Sequence, residues 1–547
     1  MMKLGLQQLN ELAQLVDELL LDASRKAELV ECFNVHLKTE FTFTDECCEG
    51  YFYYILANCS SEIYKYQDEH WFSKNLITTV NLYEKSLYIL KKTNDNHGLL
   101  SFVLTNFGNF LSSIGRSFCA QYYWDQAIKM DNNPVALVAK AQGVIFRSSQ
   151  LYDQSHVNIH YYFANQLIKQ AYMSFDALEE EQKIPLKETG DLYHFTCWYQ
   201  EHFQDTDFDY VKEYKQKTKT KAELRYLVWS AENKLFLNDL NDLFEDEIVL
   251  QDILGLPDMT YKINSSLSLK ESLVYHSNFD ELRNEYTYAR FLIFQASEIK
   301  TDTQHFYNKT YPHVYDTLHA IDNLKTSQMK SAFRILYSIF DKISYFLAKY
   351  LDLEMNDRQI TFSKVFGWNE NRKFKPHDKL KDSKNYFLHA LFYILKEIES
   401  DQLNGHDKVS ELNSREKIEK PRLSKIRNCL EHRSFRVIDD FGYELNTKFD
   451  MTSEFAYQNL KEQENTLMEQ GKAKSIEYLE ILEKIKEKEK KANYILEIPL
   501  SEFESSLMDL IRLVRNSLMY LSFAVQFEEN MKSASEDLIL HRVVPLK

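Results

Sequence analysis

Apolar residues in the C-terminal third of the chain recur at alternating steps of three and four, which places them on one face of an α-helix. Residues 331–351 show this spacing most clearly, with a polar stripe beside the apolar one. The apolar positions are Phe333, Leu336, Phe340, Ile343 and Leu347, and the polar ones are Arg334, Ser338, Asp341 and Tyr345. Further helices are predicted over residues 384–400, from Pro421 onward, and from a capping box at Ser501. Four such helices predict an antiparallel four-helix bundle.

The first 215 residues contain a different, repeat-like helical pattern. Its clearest unit is residues 101–134, where small residues between large apolar ones would let two antiparallel helices pack closely. The small residues are Gly108, Gly115, Ala120 and Ala127, and the large ones are Leu104, Phe107, Leu111 and Trp124. This spacing resembles a tetratricopeptide repeat, and residues 82–90 and 138–146 continue it in degenerate form. The alternative is the ordinary packing of helical hairpins.

Glycine and proline are scarce, and this scarcity argues against folds that are rich in turns. The chain has 12 Gly and 8 Pro among 547 residues, under 4% together, whereas an average protein has about 12%. β-rich and α/β proteins need more turn residues than this. Together with the helical periodicity, the composition predicts an all-α protein.

The net charge of −16 excludes a chain that binds polyanions with its whole surface. The charge is uneven, however, since residues 358–436 hold 18 Lys/Arg against 11 Asp/Glu. Such a run is either a solvated, lysine-rich surface or a patch that attracts a phosphate backbone. Such runs are more often solvated surfaces, but because this run ends at an Arg–His motif, the phosphate-binding interpretation gains support.

The cysteine content and the hydropathy predict a cytoplasmic protein without a membrane segment. The seven cysteines are scattered and form no CxxC pair, which is typical of reduced thiols in a cytosolic protein. The N-terminus lacks a basic region followed by an apolar one. The longest apolar stretch, residues 518–527, is too short to span a bilayer.

The candidate catalytic residues are Arg427, Asn428 and His432, which lie on one predicted helix. The buried side of this helix is predicted to consist of Leu423, Ile426 and Leu430. Arg427 then lies at the edge of the buried side, and His432 points away from it. A guanidinium offers two donors to a phosphate and an imidazole moves protons near neutral pH, so this pair suits metal-free RNA cleavage. The alternative is that Arg427 pairs with Glu431 and that His432 is an ordinary surface residue.

Two other pairs of residues match a functional pattern only superficially. Arg372 and His377 repeat the Arg-to-His spacing, but Pro376 directly before the histidine disfavours a helix and predicts a loop. His156 and His160 stand four residues apart, yet no intervening Glu and no third ligand are nearby. Neither pair is therefore expected to form an active site or a metal site.

The sequence also lacks the usual phosphate-binding loops. No Walker A or GxGxxG pattern is present. The Asp-Phe-Gly tripeptide at residues 440–442 has no kinase context and is interpreted as a turn. No cofactor and no metal are expected.

At the Arg427–His432 motif the chain resembles the HEPN superfamily (higher eukaryotes and prokaryotes nucleotide-binding), and more closely the bacterial LA-type HEPN proteins with N-terminal TPR-like repeats. The likeness covers residues 223–530. Its segments are residues 236–243, 283–290, 333–346 and 426–437. One departure is Asp239, where the family pattern would have proline.

The resemblance implies a metal-independent endoribonuclease that works as a homodimer through the HEPN bundle. His432 would be the general acid or base for attack of a ribose 2′-OH on the adjacent phosphate. Arg427 would stabilise the scissile phosphate, and Asn428 would orient His432 or contact phosphate. The products would carry 2′,3′-cyclic phosphate and 5′-OH ends.

The resemblance also implies a domain organisation and a set of partners. TPR-like repeats are expected over residues 1–215, a family-specific helical connector over 216–315, and the HEPN bundle over 316–547. RNA would be the substrate, and the repeats would bind a protein partner in a regulated toxin or defence effector. Two alternatives remain open: a non-catalytic TPR/HEPN scaffold, and a nucleotide-binding partner of a nucleotidyltransferase.

Overall fold

The computed structural model describes most of the chain. The described residues are 2–67, 70–93, 97–151, 153–204, 206, 208, 218–244, 251–257, 259–262, 269–300, 305–309, 319–370, 373–399, 423–469, 475–492, 495–533 and 539–541. They contain nineteen α-helices and eight short strands. The prediction of a mostly helical protein is therefore confirmed.

The helices of the N-terminal half follow one another in consecutive pairs. They are α1 Leu6–Leu21, α2 Lys26–Lys38, α3 Glu46–Gln67, α4 Lys74–Leu90, α5 His97–Ser113, α6 Ser117–Asp131, α7 Pro134–Ser148, α8 Gln154–Met173, α9 Glu180–Lys183, α10 Asp191–Phe203 and α11 Lys221–Glu232. Helix α3 packs on α4, α5 on α6, and α7 on α8. This arrangement confirms the predicted N-terminal helical pairs.

The four longest described helices, of 27 to 34 residues, lie in the C-terminal half. The helices of this half are α12 Leu269–Glu298, α13 Leu324–Tyr350, α14 Asp378–Lys381, α15 Tyr386–Glu399, α16 Leu423–His432, α17 Asp440–Glu469, α18 Ile476–Ala492 and α19 Leu500–Ser533. The predicted helices over 331–351 and 384–400 correspond to α13 and α15. Pro421, predicted to begin the third helix, lies outside the described residues.

The strands form four two-stranded sheets. They are β1 Met2–Leu4 with β2 Phe41–Phe43, β3 Thr260–Lys262 with β8 Ile539–His541, β4 Gly367–Glu370 with β5 Lys373–Pro376, and β6 Ser434–Ile438 with β7 Ile495–Pro499. The β3–β8 and β4–β5 pairs are antiparallel, and the other two pairs are parallel.

Two local predictions were wrong at the start of helices. The capping box at Ser501 does not open α19, because the helix already begins at Leu500 and the Ser501 hydroxyl donates to Asp440 Oδ1 at 2.5 Å. The predicted turn at residues 440–442 is the first turn of α17. Asp439 Oδ1 accepts the backbone N–H groups of Phe441 and Gly442 at 3.1 and 3.4 Å. Aspartate and glycine favour both turns and helix N-termini, so the tripeptide alone could not separate the two.

The described helices divide between two compact units. The first unit comprises Met1–Arg283, Asp341–Arg415 and Arg515–Lys547, and the second comprises Asn284–Phe340 and Glu416–Val514. The division falls within α12, α13 and α19. The boundaries predicted at residues 215 and 315 stay predictions.

The first unit joins its separate segments through buried polar contacts. The Tyr520 hydroxyl accepts the backbone N–H groups of Phe118 and Cys119 at 3.0 and 3.1 Å and so caps the N-terminus of α6. Arg515 donates to both carboxylate oxygens of Asp242, which also accepts from Arg147 at 3.3 Å. These contacts connect residues that lie hundreds of positions apart in the chain.

The second unit is built around aromatic packing and a parallel strand pair. The Phe503 ring lies 6.0 Å from that of Phe333 and 5.0 Å from that of Phe435, between ring centroids. The backbone N–H of Ile321 donates to Val437 O at 2.8 Å beside the β6–β7 pair. Strand β6 is thereby fixed directly after α16, which carries the predicted catalytic residues.

Within the described part of the chain, no helix combines the length and the apolar character that a membrane crossing requires.

We predict that two glycines around Trp124 cannot be enlarged without cost. A methyl group on Gly108 or Gly143 would lie 2.5 Å from the Trp124 ring, whose side chain is buried. Gly108→Ala and Gly143→Ala should each destabilise the protein by about 1–3 kcal/mol through overpacking. Gly98→Ala is the matched control, because no atom lies within 4 Å of the added methyl. Thermal unfolding measures the effect, and equal melting temperatures for all three variants would contradict the prediction.

Candidate active site

Helix α16 presents its predicted catalytic residues on its less buried side. The buried residues are Ser424, Ile426, Cys429 and Leu430. Leu423, predicted to be buried, is half-buried because it lies at the open first position of the helix. His432 is the last residue of the helix and its side chain is exposed. The imidazole thus stands where it can be reached from solvent.

Arg427 is half-buried and held by two neighbours. Its guanidinium carbon lies 5.6 Å from the centroid of the Tyr337 ring on α13, a cation–π distance. Its Nη1 donates to Asn428 Oδ1 at 3.2 Å. Among the described residues Asn428 contacts Arg427 and makes no hydrogen bond to His432. Its predicted role in orienting His432 or contacting phosphate stays a prediction.

Arg334 is a residue of the site that the sequence interpretation had only placed on a polar stripe. Its Nε donates to Glu431 Oε1 at 3.0 Å, and its Nη2 donates to the carbonyl of Leu430 at 2.8 Å. The second bond satisfies one of the carbonyls left open at the end of α16. Glu431, which could have paired with Arg427, is therefore engaged by Arg334. The carboxylate nearest His432 in the sequence therefore has a cation beside it, in a partly exposed ion pair.

The strand that follows fixes the end of the motif helix. Arg433 N–H donates to Cys429 O at 3.2 Å, and β6 begins one residue later at Ser434. Strand β6 pairs in parallel with β7, and Arg436 on β6 lies 3.5 Å from Glu497 on β7. Burial raises the pKa of the Cys429 thiol, which disfavours a nucleophilic role for this cysteine.

The comparison with protein families supports the assignment of this region. A family model described as LA2681-like HEPN matches residues 266–476. The chain contains an LA2681-like HEPN domain. The match includes Arg334, Tyr337, Arg427 and His432, so every contact described at α16 except that with β7 lies within the HEPN domain. The matched range, residues 266–476, is narrower than the range of 223–530 over which the resemblance was predicted. Searches of curated proteins and of solved structures found no match.

His377, the histidine of the second Arg-to-His pair, lies within the HEPN match and directly follows strand β5. The prediction of a loop there was wrong, since β4 and β5 form an antiparallel pair in which Pro376 is the last strand residue. A proline is tolerated at such a strand end. Arg372 lies outside the described residues, and His377 Nε2 lies 3.1 Å from Lys364 O.

The histidine pair on α8, outside the HEPN domain, surrounds a buried carboxylate. His156 Nδ1 lies 2.9 Å from Asp239 Oδ1, and His160 Nδ1 lies 3.7 Å from the other carboxylate oxygen. His160 Nδ1 also donates to His156 O at 2.9 Å. Asp239 is the residue that departs from the family pattern, and these contacts give it a structural role. The described residues hold no cluster of three or more His, Cys, Asp or Glu that could bind a metal ion.

Burial and neighbouring groups together shift the pKa values of this cluster. Burial lowers the pKa of His160 to about 4. For Asp239, burial acts to raise the pKa, but the hydrogen bond from His156 and the charges of the neighbouring His160, His156 and Arg147 outweigh it, so the pKa lies below its usual value. The carboxylate therefore stays ionised inside the protein.

We predict that His160 makes the protein less stable in acid. Its pKa is about 4 in the folded state against 6.5 for the unfolded chain, so the unfolded state binds more protons below pH 6.5. Stability is then lost as the pH falls from 6.5 toward 4. In His160→Gln, the melting temperature should fall less steeply over this window than in wild type. His202→Gln, at an exposed histidine, is the control, and an unchanged slope in His160→Gln would refute the prediction.

Proposed function

We propose that the protein is a metal-independent endoribonuclease whose active site is built on Arg427 and His432. The observation that carries the proposal is the exposed His432 at the end of α16, one turn from Arg427, within an HEPN domain. HEPN domains are often ribonucleases. Among the described residues the Arg427 side chain makes one hydrogen bond, to Asn428. Since a guanidinium has five N–H donors, the others can bind a phosphate.

The reaction would be an in-line transfer within the RNA chain. A base removes the proton of a ribose 2′-OH, and the 2′-oxygen forms a bond to the adjacent phosphorus. The bond from phosphorus to the 5′-oxygen of the next nucleotide breaks, and an acid protonates that oxygen. Arg427 stabilises the negative charge on the phosphoryl oxygens. The products are a 2′,3′-cyclic phosphate and a 5′-OH.

A homodimer would supply both the base and the acid. One His432 can hold or release a proton but cannot do both at the same moment. Two copies of α16 facing each other would provide one neutral and one protonated imidazole. The exposure of His432 is compatible with this arrangement, because its side chain is not covered by its own helix.

The N-terminal helical pairs would give the nuclease its regulation. They expose large apolar side chains, including Phe102 at 56% and Met173 at 85%. A protein partner that covers such side chains would restrain or release the nuclease, as in a toxin or defence effector. The same partner would explain why a cell tolerates the enzyme.

We predict that the purified protein cuts single-stranded RNA in the presence of EDTA. His432→Ala and Arg427→Ala should each lower the cleavage rate at least about 100-fold, because each removes a group that acts on the transition state. His202→Ala and Arg225→Ala, at exposed residues on α10 and α11, are the matched controls and should cut like wild type. Cleavage by both site variants at the wild-type rate would overturn the assignment. Absence of cleavage in wild type, with or without candidate partners, would favour the non-catalytic scaffold.

We predict further that the protein is a homodimer in solution, so that its measured mass is twice the 65.0 kDa of one chain. His432→Ala and Arg427→Ala should sediment in the same way, because neither change removes a buried apolar side chain. Sedimentation equilibrium measures the mass. A monomeric protein that cuts RNA, at a rate per chain that does not change with protein concentration, would refute the shared site.

A further inference from the structure

We infer that the β4–β5 hairpin is a docking surface for single-stranded RNA, on which Trp368 stacks with a base and Lys375 contacts the phosphate backbone. The inference rests on the proposed function for its ligand, since it names where the RNA substrate is held. It concerns the hairpin itself, which lies within the first unit.

The hairpin has one inner and one outer face. Strand residues alternate between the two faces, and residues directly opposite each other share a face. Asn369 is opposite Phe374, whose ring packs on that of Phe392 at 5.1 Å between centroids. Trp368 is opposite Lys375, and both side chains are exposed. The pattern therefore places Phe374 on the inner face and the Trp368–Lys375 pair on the outer face.

Trp368 is the most exposed of the five tryptophans. Its side chain is 43% exposed, against 37% for Trp198 and 7% or less for Trp71 and Trp124, while Trp229 is half-buried. Trp368 therefore presents the most exposed indole ring among the described residues. It is well suited to stacking on a base, because every base has a π face.

Lys375 and His377 lie next to the Trp368 ring. Lys375 Nζ lies 5.5 Å from the centroid of the Trp368 ring, and the His377 ring meets Trp368 edge-on at 5.2 Å. Lys364, close to His377, is also exposed. Glu370 pairs with Lys375 at 3.2 Å, with both side chains at least half exposed. Such an exposed ion pair is weak, so Lys375 stays available to a phosphate.

The charge of this segment is opposite to that of the whole chain. Residues 358–384 contain eight Lys/Arg and three Asp/Glu, although the protein carries a net charge of −16. A basic segment with an exposed aromatic ring is complementary to a nucleic-acid strand. The other exposed tryptophan differs here, because residues 188–204 around Trp198 contain three Asp/Glu and no Lys/Arg.

The geometry favours a single strand over a duplex. In an A-form duplex the bases are stacked on one another and their faces are closed to side chains. A tryptophan that stands on a hairpin can stack only on a base that is already unstacked. The occupant is therefore unpaired RNA.

The experiment measures binding without cleavage, in the full-length His432→Ala protein in EDTA. Fluorescence anisotropy follows a labelled oligouridylate of about twelve nucleotides, which forms no duplex. Trp368→Leu should raise the Kd at least about fivefold through loss of stacking, whereas Trp368→Phe should raise it less than about threefold because a ring remains. Lys375→Gln should reduce the slope of log Kd against log salt by about 0.7. Trp198→Leu is the matched control and should leave the Kd unchanged.

The design separates this surface from stability and from catalysis. Because the Trp368–Lys375 pair also stabilises the hairpin, circular dichroism must show that each variant is folded. If Trp368→Leu does not fold, a second measurement tests the same surface. The oligouridylate should quench the tryptophan fluorescence of the parent protein, and this quenching should be lost in Trp368→Phe. No binding by the parent protein, equal binding by Trp368→Leu, or equal weakening by Trp198→Leu would each overturn the inference. Failure of wild type to cut RNA, with Trp368-dependent binding intact, would refute the proposed function and leave this surface standing.

Discussion

The buried ion network of Asp242 is the constraint on which the first unit depends. Its carboxylate accepts from Arg147 on α7 and from Arg515 on α19, and Arg515 also donates to the carbonyls of Phe236 and Asn238. Removing charges from water is costly, so each partner must stay in place to compensate the others. Losing one partner of such a buried network costs about 3–5 kcal/mol. The network therefore requires the N-terminal helices, the 236–242 segment and the last long helix to fold together.

At the candidate active site, too, an arginine from one helix satisfies polar groups of another element. Arg334 satisfies a carbonyl at the end of α16 and pairs with Glu431. Tyr337, one turn further along α13, supports the guanidinium of Arg427. One helix thus contacts the motif helix at both Arg427 and Glu431.

The helices and the orientation of His432 could be predicted from helical periodicity. The local predictions that were wrong have identifiable physical causes. The phase of α16 predicted that His432 would point away from the buried side, because a ten-residue helix has little freedom once its apolar positions are known. The turn expected at residues 440–442 was wrong because Asp439 caps a helix there. The loop expected before His377 was wrong because residues 373–376 pair with the preceding strand β4, and the proline before His377 does not indicate this pairing.

The sequence by itself determined the all-α class and the N-terminal helical pairs, since these depend on composition and on spacing within single helices. The HEPN domain was predicted from the resemblance of several segments to that family, and the family model confirms it over residues 266–476. The tertiary structure alone decided which side chains from distant segments meet. It placed Arg334 against Glu431, Asp239 beside His156, and Trp368 on the outer face of a hairpin. Periodicity specifies the face of an element but not its neighbour, because the neighbour is chosen by packing and by the need to satisfy buried polar groups.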